Sequence, residues 1–149
     1  MLSSIQPDVL RYVNSLMRGQ GDAEDVVQEI FLTVVKKIRT LRDPSLFRPW
    51  LFRIASRETF RALRADREWN RLIADDSDYQ SLSGGAEPVL TNADVGELIA
   101  RLSIASRAVI AMRYVEGLRQ EEIATVLGIS VGTVKSRIAY GLKQLREAV

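Results

Sequence analysis

The chain has 149 residues, 46% of them hydrophobic and 27% charged, a globular composition with room for one domain or two small ones. Cysteine and histidine are both absent, which excludes disulfides, thiolate or imidazole metal sites and His- or Cys-based catalysis, so we expect no cofactor and no enzyme. The formal net charge is only +2, but segment 76–94 is acidic and contains no Lys or Arg, so the flanking segments are basic enough to suit nucleic acid.

Helical spacing of apolar residues recurs along the chain, whereas strand alternation and hairpin turns are nearly absent, so we predict an all-α fold. A first helix is predicted from about Pro7 to Met17, where a glycine-containing break follows. Asp22 is then a good N-cap for a second helix. Apolar residues repeat along this helix at steps of three and four until about Thr40.

A third helix is predicted from Pro49 to about Ile73, with arginines gathered on one face. At about 100° per residue they fall within an arc of about 120°, with Phe60 inside the arc and Trp50 near its edge. A row of arginines with an interleaved aromatic ring suits single-stranded DNA, because it offers phosphate neutralisation and a stacking surface. The alternative is that Phe60 is buried by a neighbouring helix and the arginines only solvate a surface. The arginines are Arg53, Arg57, Arg61, Arg64, Arg67 and Arg71.

Residues 75–92 are polar, contain Gly84-Gly85 and Pro88 and lack helical periodicity, which predicts a flexible linker between domains 1–74 and 93–149. Shorter helices should follow. Their predicted spans are Ala93–Leu102, a segment from a Ser103 or Ser106 cap to Gly117, Gln120–Leu127, and a last helix from a Ser130 cap to the C-terminus.

Residues 119–138, RQEEIATVLGISVGTVKSRI, have the spacing of a helix-turn-helix. Gly128 stands where a left-handed turn is needed, small Ala124 permits close helix packing, and Ser130 caps the second helix. Short polar and Arg side chains on the outer side of that helix suit the major groove, while Lys135 is better placed for a phosphate. A plain helical hairpin with a solvated polar face is the alternative. The candidate duplex-binding residues are Ser130, Gly132, Thr133, Lys135, Ser136, Arg137 and Tyr140.

Three segments in order resemble the extracytoplasmic-function (ECF) group of the sigma-70 family of bacterial sigma factors. Residues 22–35, DAEDVVQEIFLTVV, are similar to the family segment that docks on RNA polymerase. Residues 46–64, LFRPWLFRIASRETFRALR, are similar to its promoter-melting helix, and residues 107–146 to its C-terminal helix-turn-helix. The resemblance implies a three-helix, region 2-like N-terminal domain and a region 4-like C-terminal domain.

The resemblance also implies partners and roles. Core RNA polymerase would contact Asp25, Gln28 and Glu29, promoter DNA would be bound at the minus-ten and minus-thirty-five elements, and an anti-sigma factor would regulate the chain. No apolar run reaches membrane-spanning length and no signal pattern begins the chain, so we expect a cytoplasmic protein. The residues expected to hold the melted strand are Trp50, Arg53, Arg57, Phe60, Arg61 and Arg64.

Two other functions stay open. Val35, Arg57 and Arg61 differ from the residues common in the family. These differences leave open the hypothesis of a sigma mimic, which sequesters an anti-sigma factor without using a promoter. A simple helix-turn-helix regulator of duplex operators is the third hypothesis. Absence of binding to core polymerase would favour it.

Overall fold

The computed structural model describes residues 2–75 and 98–148, and within them the chain is helical. Short 3-10 turns lie at Ile38–Thr40, Pro44–Leu46 and Ile99–Arg101, and a π-helical segment, Ala111–Val115, extends the fifth helix. Most of the predicted linker 75–92 and the first part of the predicted helix Ala93–Leu102 lie outside the described residues. The α-helices are α1 (Leu2–Met17), α2 (Ala23–Lys37), α3 (Phe47–Ala62), α4 (Asp66–Ile73), α5 (Ile104–Ile110), α6 (Gln120–Leu127) and α7 (Val131–Ala148).

The first two helices agree with the sequence pattern except at their ends. Helix α1 begins at Leu2 rather than near Pro7, which lies inside it. Helix α2 starts as predicted, because the Asp22 carboxylate accepts hydrogen bonds from the backbone N–H groups of Glu24 (3.0 Å) and Asp25 (3.3 Å). Its α-helical part ends at Lys37, and a 3-10 turn completes the segment.

The prediction of one long third helix is wrong. Helix α3 ends at Ala62, where Arg64 takes a left-handed conformation (φ 56°) and the Ala65 N–H donates to the Phe60 carbonyl over 2.8 Å. This is the hydrogen-bond pattern of a Schellman helix end, which usually has glycine at the left-handed position. The chain therefore turns after Arg64 and begins α4, and the N-terminal part contains four α-helices rather than three.

The C-terminal helices follow the prediction closely. Ser103 caps α5, its side chain accepting from the Ser106 N–H over 3.3 Å, and α6 has the predicted bounds. Helix α7 lies so close to α5 that a Cβ built on Gly141 would be 2.8 Å from Ile110 Cγ1. A glycine inside this helix is explained by that close approach.

The two halves of the chain share one apolar core. Helix α1 packs on α5, α3 on α6, and α4 on α5, so buried residues from both predicted domains form a continuous cluster. Inside the N-terminal half, the buried Tyr12 hydroxyl lies 2.7 Å from Ser56 Oγ, and its ring meets Phe52 edge-on at 5.2 Å. Within the described ranges no helix has the length and apolarity needed to cross a membrane.

Candidate nucleic-acid interface

The helix-turn-helix is formed by α6, a turn and α7. Gly128 ends α6 in the left-handed conformation (φ 67°), and its N–H donates to the Ala124 carbonyl over 2.8 Å. Ile129 is buried beneath the turn. Ser130 Oγ accepts from the Thr133 N–H over 3.1 Å and so caps α7. The inner side of α7 is buried at Val134, Ile138, Leu142 and Leu145, as the periodicity predicts.

The outer edge of α7 is divided into open and covered parts. Ser130, Gly132 and Lys135 are exposed, and Thr133 and Tyr140 are half-buried. Ser136 and Arg137 are covered, with only 3% and 6% of their surface exposed. We expected these two residues to face solvent. The expectation is wrong for this arrangement, in which both residues are buried and Arg137 lies against the end of α4.

Arg137 is held by backbone carbonyls of the N-terminal half. Its guanidinium donates to the Ala74 carbonyl over 2.6 Å and to the Arg71 carbonyl over 3.3 Å. Beside it, the Asp75 carboxylate accepts hydrogen bonds from Ser130 Oγ (3.3 Å) and from Thr133 Oγ1. The bond from Thr133 holds the pKa of Asp75 below its usual value, so Asp75 is ionised near neutral pH.

The arginine row is split by the turn at Arg64. Arg53 and Arg61 project from α3, Arg64 lies in the turn, and Arg67 and Arg71 belong to α4, so the six no longer share one helical face. All arginines of the row are exposed except Arg57, which is half-buried.

Two of the arginines that remain on α3 have identified partners on other elements. Arg53 donates to the Val126 carbonyl at the end of α6 over 2.7 Å. Arg57 pairs with Asp66 over 2.9 Å and lies 6.0 Å from the Trp69 ring centroid. The contacts of Arg57 depend on the chain turning back after α3, because Asp66 and Trp69 belong to α4.

The two aromatic candidates differ in position. Phe60 is fully buried and meets Trp69 edge-on, with ring centroids 5.3 Å apart. The expected stacking role of Phe60 is therefore wrong, and the alternative of burial by a neighbouring helix is what the structure shows. Trp50 is half-buried beside Phe47, with ring centroids 5.9 Å apart, so part of its ring remains accessible.

The predicted polymerase-docking residues lie together on the outer face of α2. Asp25, Gln28 and Glu29 are all exposed. The same helix also exposes two large apolar side chains. They are Leu32 (54%), to which sequence reasoning had assigned no role, and Val35 (64%), which it had singled out as a departure from residues common in the family. Helix α2 has more apolar residues than one buried face can hold. This excess could have predicted from the sequence that some of them are exposed.

A second group that sequence reasoning missed joins the two halves of the chain. The Glu116 side chain is fully buried and accepts two bonds from Arg11, at 3.0 and 2.9 Å, while Arg48 donates to the Glu116 carbonyl over 2.7 Å. Burial raises the pKa of Glu116, although the bond from Arg11 opposes this effect. Arg107 donates to the Leu16 carbonyl over 2.8 Å. These partners are distant in sequence, so no local pattern predicts them.

Among the described residues no cluster of acidic side chains could hold a metal ion. The fold and these surfaces instead define a helical protein that combines a helix-turn-helix with arginine-bearing helices.

Comparison with known proteins identifies the family. The Sigma-70 region 2 family matches residues 1–69, and the Sigma-70 region 4 family matches residues 93–145. The chain is 31% identical to RNA polymerase sigma factor SigV of Bacillus subtilis, covering 93% of this chain and 82% of SigV. It is 34% identical to the ECF sigma factor SigL of Mycobacterium tuberculosis, covering 91% of this chain and 79% of SigL.

A solved structure agrees with these relatives. The sigma factor RpoE in complex with the anti-sigma factor NepR, from Bartonella quintana, matches with a TM-score of 0.71 and 25% identity, covering 99% of this chain and 92% of RpoE. The chain belongs to the ECF group of the sigma-70 family and is an RNA polymerase sigma factor.

Proposed function

We propose that the chain divides promoter recognition between an N-terminal domain, residues 1–74, and a C-terminal domain, residues 93–149, joined by a linker at 75–92. The N-terminal domain binds core polymerase and the melted minus-ten strand, and the C-terminal domain reads the minus-thirty-five duplex. The observation that carries this proposal is the helix-turn-helix itself, with Gly128 left-handed and Ser130 capping α7.

In the duplex-binding part, the N-terminal end of α7 enters the major groove. Gly132 and Thr133 allow close approach, Lys135 is exposed toward a phosphate, and Ser136 and Arg137 reach base edges. Ser130 and Tyr140 flank this edge. Arg137 needs the end of α4 to move away before it can bind DNA, because its hydrogen bonds now go to Arg71 and Ala74.

For the melted strand, the exposed arginines supply the charge. Arg61 and Arg64 are exposed toward a phosphate backbone, whereas Arg57 is half-buried beside Asp66. Arg53 is also exposed, but it must leave the Val126 carbonyl before it can bind a phosphate. Trp50 is the aromatic ring that remains available for stacking. Phe60 supports this surface from inside, by packing beneath it on Trp69.

Core polymerase binds the outer face of α2. Asp25, Gln28 and Glu29 form a polar rim, and Leu32 and Val35 add exposed apolar area next to it. Polar rims around apolar contacts are the usual composition of protein interfaces. Val35 is therefore assigned to the partner surface rather than to the core.

The chain has no catalytic activity of its own in this proposal, because the polymerase performs the chemistry and the sigma factor supplies promoter choice. It works in the cytoplasm, where the polymerase and its DNA template are. An anti-sigma factor is its expected regulator, consistent with the complex in which the similar RpoE was solved.

Binding to core polymerase tests the docking face. The full chain should bind purified bacterial core enzyme, and Glu29→Arg should weaken this binding at least about tenfold, because it reverses a charge within the interface. Glu147→Arg makes the same charge change at an exposed position far along α7 and should bind like the wild type. Equal affinity for all three proteins would contradict the assigned face.

A promoter test addresses α7. Once a promoter is known, Arg137→Ala should weaken binding of the polymerase complex to it by about 1–3 kcal/mol, with little loss on random duplex. An equal loss on both would mean that Arg137 contacts phosphate only.

Transcription with core polymerase distinguishes this sigma factor from a sigma mimic, which the burial of Ser136 and Arg137 would also suit. A mimic has no use for an open reading edge. It would bind an anti-sigma factor and yield no transcript with core polymerase on any promoter, whereas a sigma factor yields promoter-specific transcripts.

A further inference from the structure

The end of the N-terminal half occupies the same edge of α7 that is assigned to DNA. Three acceptor groups from residues 71–75 meet the donors of that edge: the carbonyls of Arg71 and Ala74 bind Arg137, and the Asp75 carboxylate binds the Ser130 and Thr133 hydroxyls. A carboxylate at the start of a helix and carbonyls around a guanidinium offer the same kind of hydrogen-bond acceptors as phosphates and base edges in a DNA complex.

We propose that residues 71–75 act as an internal DNA mimic that holds the N-terminal half against α7 in the free sigma factor. This closed arrangement blocks the reading edge of α7, which is the edge from Ser130 to Tyr140 assigned to duplex DNA. This inference rests on the proposed DNA-reading role of that edge. It adds a regulatory step, since the segment must leave α7 before duplex DNA binds.

The geometry supports competition rather than a shared site. Arg137 is 6% exposed and donates to two carbonyls of the segment, so a DNA base edge has no access to it while the segment is in place. The Asp75 carboxylate is ionised, because the hydrogen bond from Thr133 lowers its pKa, and it would lie against the incoming phosphates. Charge repulsion and steric exclusion therefore act together.

Other contacts hold the same closed arrangement from further away. Arg53 donates to the Val126 carbonyl of α6, and Arg11 and Arg48 hold the Glu116 region. Arg53 is assigned to the melted strand, so its bond to α6 engages one N-terminal DNA-binding side chain while the segment covers the C-terminal edge. Closure thus restrains both assigned DNA surfaces at once.

Asp75→Ala tests the mimic, because this side chain is exposed and belongs to none of the assigned DNA-binding or polymerase-binding groups. The probe is a fluorescein-labelled duplex of mixed sequence, titrated with the full chain and followed by anisotropy. The variant loses the hydrogen bonds from α7 to an ionised group, so its closed state is less stable. It should therefore bind the duplex about three- to tenfold more tightly than the wild type. Glu147→Ala removes the same charge from an exposed site on α7 and measures the general effect of charge alone.

A distance measurement separates opening from DNA affinity. The chain has no native cysteine, so nitroxides can be placed by Asn70→Cys on α4 and Arg146→Cys on α7, both exposed, and measured by electron–electron double resonance. The wild-type background should give one narrow distance distribution. Asp75→Ala should add longer distances, and Glu147→Ala should not.

Three results would overturn the proposal. The first is a broad distribution in the wild-type background, and the second is an unchanged distribution in Asp75→Ala. The third is an Asp75→Ala chain that opens but binds the duplex no more tightly than Glu147→Ala. If neither the wild type nor the opened chain bound any duplex, the DNA-reading role of α7 would fail as well, and the distance shift would identify that failure as separate from closure.

Discussion

Phe60 offers the sharpest test of how the arginine-bearing helix is built. Its ring is fully buried and packs edge-on against Trp69 at 5.3 Å. Phe60→Ala removes that ring and leaves a cavity, which costs about 3–5 kcal/mol in the free energy of unfolding. For a chain of this length each kcal/mol lowers the melting temperature by about 2–4 °C, so we expect a fall of about 6–20 °C.

Urea and thermal unfolding followed by far-ultraviolet circular dichroism measure this loss without depending on Trp69 fluorescence. Arg61→Ala is the matched control, because it lies one residue away, is exposed and, among the residues that the structure describes, forms an ion pair with Glu58 at 3.2 Å. It should change the free energy of unfolding by less than about 0.5 kcal/mol. A Phe60→Ala chain as stable as the wild type, but defective in binding single-stranded DNA, would refute the buried position and restore the stacking role.

Three further predictions concern helix ends and the buried carboxylate. Asp22→Ala should lower the free energy of unfolding by about 0.5–2 kcal/mol in urea titrations, because α2 loses its cap. Arg64→Gly should raise it by about 1 kcal/mol, since glycine relieves the left-handed backbone at φ 56°. Burial raises the pKa of Glu116, so its contribution to stability is greatest below the ordinary pKa of about 4.5 and is lost as pH rises through the raised pKa. Unfolding measured between about pH 4 and 7 should therefore show the wild type losing stability relative to Glu116→Gln as pH rises.

Each of these has a contrary outcome. An Asp22→Ala chain of unchanged stability would mean that water replaces the cap at no cost. A destabilised Arg64→Gly chain would show that the arginine side chain contributes more than its backbone strain removes. A difference between wild type and Glu116→Gln that does not vary with pH would place the pKa of Glu116 at its ordinary value, despite its burial.

The sequence predicted local structure better than it predicted contacts between distant segments. The helix-turn-helix was readable because Gly128 and Ser130 carry their own conformational preferences, and Asp22 is a good cap in any context. The break in the third helix was not readable, because Arg64 holds a left-handed position that normally signals itself by glycine. With that break missed, Arg64, Arg67 and Arg71 were placed on the wrong face.

The covered edge of α7 could not be predicted for a different reason. Helical periodicity assigns Ser136 and Arg137 to the side opposite the buried face of α7, but it says nothing of the N-terminal half, whose carbonyls bind Arg137. The contact of Arg137 with Ala74 joins residues 63 positions apart, and that of Arg11 with Glu116 joins residues 105 positions apart. Hydrogen bonds to backbone carbonyls, such as those of Arg137, also leave no residue pattern. Gly141 is a similar case, because a glycine inside a helix is unfavourable by about 1 kcal/mol relative to alanine and the close approach of Ile110 that explains it has no local sequence signal.

Transcription from fragmented genomic DNA with core polymerase, followed by sequencing of RNA 5′ ends, tests the sigma-factor assignment most directly. Adding the full chain should create new 5′ ends that share sequence elements at the minus-ten and minus-thirty-five spacings, and Arg137→Ala should reduce them. Identical 5′ ends with and without the chain, under conditions in which the chain binds core polymerase, would contradict the account.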